Sequence, residues 1–134
     1  LLGPVRDASW RTDPEQRKQP GYEDHWLTRQ RFRAILPVDD LRRTIAVDDT
    51  AAAVRAPLAL LYYHADPQHE DSVVRVSAMR DFFKKTNGGH PHPLSRQVAI
   101  ADGNHILLSQ YVRTDKKTIL DESRRFLNEV LKTR

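Results

Sequence analysis

Two places in the chain put an acid and an imidazole where they can act together. The apolar run "LALLYY" stops at "HADP", so Asp66 emerges at its end, and the run "RQVAIA" stops at "DGNH", which delivers His105 on a turn of Gly103 and Asn104. If the two runs are strands of one parallel sheet, both side chains leave the sheet at the same edge, where functional groups of open α/β sheets collect. A carboxylate there accepts a hydrogen bond from one imidazole nitrogen, fixes the tautomer and leaves the other nitrogen free as a base. The expected dyad is therefore Asp66 and His105, on a flexible "DGN" turn that lets the ring swing into place.

Simpler readings stand beside this one. Asp66 precedes Pro67 and can be only a turn former. His105 can be a buried structural residue or a loop residue in solvent. Asp102 competes as a partner for His105 but is better suited to shaping the turn, and Glu70 and Asp71 read as acidic charges at the start of a helix. His64 and His69 flank Asp66, and "HPH" supplies His90 and His92. These imidazoles match no recognised ligand spacing, so no metal is expected. Tyr22, Trp26 and Phe32 suit a helix core better than a ligand box.

The elements that must position these groups follow from periodicity. "LLGPV" reads as the end of a strand, and the polar stretch to "QPG" as a loop. Tyr22, Trp26, Phe32, Ile35 and Leu36 recur at roughly helical spacing. Pro37 ends that helix or starts another, in which Val38, Leu41 and Ile45 share a face. Ala51 to Val54 suits a helical turn. "LALLYY" is too short for a helix and apolar throughout, as in a strand buried on both faces of a parallel sheet. "EDSVVRVSAMRDFFKK" places Val73, Val76, Met79 and Phe83 on a helix, "TNGGHPHPLS" is a loop, and "RQVAIA" is a second buried strand. "KKTILDESRRFLNEVLK" is the clearest helix, with a stripe of Ile119, Leu120, Ser123, Phe126, Leu127, Val130 and Leu131, and with Thr114 or Asp115 as its cap. The order strand, helix, strand, helix implies a right-handed crossover in a parallel sheet.

Composition bounds what the chain can be. Its 134 residues, 39% hydrophobic and 30% charged, suit one globular domain. No run reaches the roughly 20 apolar residues of a membrane span. Without cysteine there are no disulfides or thiolate metal sites, and the compartment stays open. The net charge of +4 permits an anionic partner. Its charges alternate in sign, however, and no basic face carries stacking aromatics, so nucleic acid is not an expected partner. "LLGPVRD" has neither the layout of a signal peptide nor an initiator methionine, and reads as the interior of a longer protein.

"APLALLYYHADPQHED", "RQVAIADGNHILLSQY" and "DESRRFLNEVL" together resemble the C-terminal half of an α/β-hydrolase: an acid-bearing strand, a helix, a strand, a histidine loop and a closing helix. "YEDHWLTRQRFRAILPVDDL" resembles the helical cap of such proteins. The histidine loop of the family more often reads Gly-Gly-His or Ala-Gly-His, and Asn104 departs from that, although "GNH" and "GDH" are familiar among similar hydrolases. The resemblance implies an α/β fold, part of a parallel hydrolase sheet with flanking helices. Residues 1–56 would hold a strand end, a loop and the small helical cap, and residues 57–134 the C-terminal core.

It also implies a serine hydrolase of the esterase or lipase kind, with Asp66 and His105 as two members of a triad, an acyl compound as substrate and no cofactor. The family's order of nucleophile, acid, histidine puts the serine upstream. No Gly-x-Ser-x-Gly occurs here, since Ser9, Ser72, Ser77, Ser95, Ser109 and Ser123 all lack glycines two residues away on both sides. The expected partners are thus the missing N-terminal half or further copies of the chain, and the chain alone is expected to be inactive. The alternatives are a non-catalytic module of the same fold, used in binding or assembly, and a basic α/β domain that binds an anion.

Overall fold

The computed structural model describes residues 5–7, 17–25, 29–31, 35–45 and 48–133. The chain divides into two compact units, residues 1–45 and 46–134.

In the first unit, β1 (Val5–Asp7) pairs antiparallel with β2 (Arg29–Arg31), with Val5 opposite Arg31. Helix α1 (Tyr22–His25) is a single short turn. A continuous helix from Tyr22 is therefore not formed, and the stretch expected as a small helical cap contributes the strand β2. Trp26 and Phe32 lie outside the described residues. Helix α2 (Ile35–Ile45) takes Pro37 into its first turn, where a missing N–H breaks no helical hydrogen bond. The face expected to be buried instead leaves Val38 and Leu41 exposed.

The second unit carries helices around a small mixed sheet in the order β4-β3-β5. Helix α3 (Asp48–Ala53) leads to β3 (Ala59–Asp66), β4 (His69–Glu70), α4 (Val76–Gly89), β5 (Arg96–Ile100) and α5 (Lys116–Lys132). β3 and β5 are parallel, with Ala59 opposite Arg96 and Tyr63 opposite Ile100, and α4 lies in the connection between them. β4 turns back antiparallel on the end of β3. The expectation of a wholly parallel sheet thus holds for one strand pair only. Arg96 N–H donates to Leu58 O at 3.0 Å, and Leu58 N–H donates to Ser95 Oγ at 2.9 Å, which pins the beginnings of the parallel strands together.

The core of this unit gathers Ala51, Tyr62, Val76, Phe83, Ile100, Tyr111, Val112 and Ile119. Ile100, the last residue of β5, is 1% exposed. β3 was expected to be buried on both faces, yet only Tyr62 in it is fully buried and its neighbours are mostly half-buried. α4 begins at Val76, so Val73 and Val74 precede it and stay exposed. It ends where Asn87, at φ 52°, and Gly88, at φ 67°, turn left-handed, and Asn87 N–H then donates to Val54 O at 2.9 Å. That bond ties the end of α4 to the end of α3. α5 is capped by Asp115, whose carboxylate accepts from Thr118 N–H at 2.9 Å and from Thr118 Oγ1 at 2.6 Å.

Candidate acid and histidine site

The position of the acid follows from the strand register. Tyr63 of β3 lies level with Ile100, the end of β5, but β3 runs on to Asp66. At about 3.3 Å per residue this carries Asp66 some 10 Å past the edge at which the histidine loop leaves. β4 brings the chain back, and Asp71 N–H donates to Tyr63 O at 3.1 Å. Asp71 is thus returned to the level of Ile100, five residues before His105.

His105 Nδ1 donates to Asp71 Oδ2 at 2.8 Å, across 34 residues of sequence. The other oxygen, Asp71 Oδ1, accepts from Val73 N–H and Val74 N–H, each at 2.8 Å. The Asp71 side chain is 6% exposed and that of His105 is 39% exposed. Burial alone would push the Asp71 carboxyl up. The hydrogen bonds from Val74 N–H, His105 and Val73 N–H outweigh it and hold the carboxyl below its ordinary range. An ionised carboxylate only accepts hydrogen bonds, so the Nδ1 facing it carries the proton and Nε2 of the neutral ring keeps its lone pair. A buried acid fixing the tautomer of a partly exposed imidazole is the geometry of a general base.

The structure does not bring Asp66 to His105. Asp66 Oδ1 accepts from Gln68 N–H at 2.8 Å and from His69 N–H at 2.9 Å, and His69 Nδ1 lies 2.8 Å from Oδ2. It closes the turn between β3 and β4, and its side chain is 47% exposed. The hydrogen bond from the His69 ring and that from Gln68 N–H lower its pKa. Its local role is the turn-forming one. Asp102 is likewise no partner of His105 but lies 3.5 Å from Arg113 Nε on the surface.

Asp71 was read as a helix N-terminal charge, yet α4 starts five residues later. At that distance the carboxylate cannot serve the N–H groups of the first helical turn. Two further histidines are engaged locally: His64 Nδ1 with Glu70 Oε2 at 3.2 Å, and His92 Nδ1 accepting from Leu94 N–H at 3.1 Å. Among the described residues no group of three or more His, Asp or Glu is arranged to hold a metal ion, and no helix is long and apolar enough to cross a membrane.

The loop between β5 and α5 is not the free turn expected of "DGN". Asp115 N–H donates to Asp102 O at 3.0 Å and closes it, and Thr114 Oγ1 donates to Leu107 O at 2.8 Å across its interior. Gly103 does not take a left-handed φ. A Cβ there would lie 3.2 Å from Leu107 Cδ2, a close contact that the Leu107 side chain would have to yield to. Comparison with known proteins finds no family model, no curated protein and no solved structure that matches this chain.

Proposed function

We propose that Asp71 and His105 are the acid and the base of a serine hydrolase of the α/β-hydrolase kind, acting on carboxylic esters or related acyl compounds. The observation that carries this reading is the 2.8 Å contact between a buried carboxylate and a half-exposed imidazole, made just past the carboxyl end of β5, where β4 returns the chain to the level of Tyr63. Nε2 of His105 would take the proton of an attacking serine hydroxyl as that oxygen bonds to the acyl carbon. Asp71 would stabilise the imidazolium, and the same proton would pass to the leaving alcohol as the acyl–oxygen bond breaks. Water then repeats the sequence on the acyl-enzyme. With no Gly-x-Ser-x-Gly in the 134 residues, the serine is assigned to a segment outside this sequence.

The test is hydrolysis of p-nitrophenyl esters by the longer protein that carries this chain. His105→Ala is expected to lower kcat by about 10³-fold or more, and Asp71→Asn by about 10²- to 10⁴-fold. Asp66→Asn should stay within about twofold, since an Asn side chain still accepts the turn's N–H groups. Full activity in Asp71→Asn would overturn the assignment of the acid. The 134-residue chain alone should not exceed the background rate, and turnover by pure material would overturn the external nucleophile.

A further inference from the structure

A base on a loop is only as well aimed as the backbone beneath it. His105 makes its one side-chain hydrogen bond among the described residues through Nδ1, and its ring is too exposed for packing to set its direction. What is fixed is the chain on either side of it. Asn104 Oδ1 accepts from Ile106 N–H at 2.8 Å, a bridge that spans His105 and holds its φ and ψ. Just beyond it, Ile106 O accepts from Ser109 N–H at 3.2 Å, and Leu107 O accepts from Thr114 Oγ1. Thr114 also packs against the Gly103 side of the loop, where a Cβ on Gly103 would lie 3.5 Å from its Cγ2. Tyr111 and Val112 are buried and anchor the far limb. The segment is a closed loop, with its ends together and its interior braced by its own side chains.

We propose that Asn104 and Thr114 are positioning residues for His105: the Asn104 bridge sets the direction of its Cβ, and Thr114 holds the loop that carries the bridge. The proposal rests on the reading of Asp71 and His105 as acid and base.

The test reads the His105 ring directly, by ¹⁵N and ¹H NMR of the 134-residue chain. In the unaltered chain His105 should be the Nδ1–H tautomer with a slowly exchanging Nδ1 proton. Asn104→Ala and Thr114→Val should shift the ring toward a mixture of tautomers and lose that proton, while Asn104→Asp and Thr114→Ser should restore it, because each keeps the atom that makes the bond. Asn104→Ala decides the matter, since the lost acceptor serves only Ile106 N–H. Retention of the Nδ1–H tautomer in that variant overturns the proposal, and so does its unfolding, because a positioning residue does not carry the fold. If the unaltered chain already lacks the Nδ1–H tautomer, the acid and base reading itself fails, an outcome separable from failure of the brace. In the longer hydrolase, Asn104→Ala should lower kcat about tenfold with KM unchanged, the pattern of an interaction needed only in the transition state.

Discussion

Asp71 is held ionised in a buried place by donors on three sides: two backbone N–H groups and the imidazole of His105. That arrangement has a signed consequence for acid stability. Because its folded pKa lies below the ordinary carboxylate value, its contribution is fully present above about pH 4 and is lost as pH falls through the depressed folded value. Asp71→Asn should therefore lower the urea midpoint by roughly 1 M at neutral pH, with the gap to the unaltered chain closing in strong acid. A gap that is constant from pH 7 to pH 2 would show that the carboxylate charge does not stabilise the fold. At this scale the sequence was half legible. His105 follows a short apolar run and a turn, a local pattern that survives folding. Its partner was hidden because β3 overruns the edge and β4 returns, so that the acid nearest in sequence to the apolar run is not the acid nearest in space.

Elements were legible where periodicity was long and misread where it was short. α5 occupies Lys116–Lys132, the stretch expected of it, and Asp115 caps it. Its apolar stripe nevertheless splits: Ile119 is buried, whereas Leu120, Leu127 and Leu131 are exposed, because a stripe this broad exceeds what the small sheet covers. Ile100→Ala should then cost about 3 kcal/mol in urea denaturation, and Leu127→Ala, at a position 56% exposed, about 0.5 kcal/mol or less. Comparable losses at the two positions would mean that the outer stripe of α5 is also covered in solution. In the first unit, aromatic and aliphatic residues from Tyr22 to Leu36 suggested one helix, but the alternating Arg29, Gln30 and Arg31 pair with β1. Pairing with a strand far away in sequence is information that local spacing does not hold.

For the molecule as a whole, the pinning of Leu58 to Ser95 sets an order of events in time. The bond joins residues 37 apart, and until it and the parallel register form, Asp71 and His105 have no reason to be near each other. Loop closure of this length is paid before any contact at the far end of the strands rewards it. Ser95→Ala should therefore slow folding in stopped-flow urea experiments, whereas Asp71→Asn should leave the folding limb nearly unchanged and speed unfolding, with a φ-value below about 0.3. A φ-value near 1 for Asp71 would reverse that order. In the expected order, with a low φ-value at Asp71, the acid and its histidine are the last groups to meet on the way in and the first to part on the way out, so that the chain can lose its chemistry briefly and recover it without unfolding.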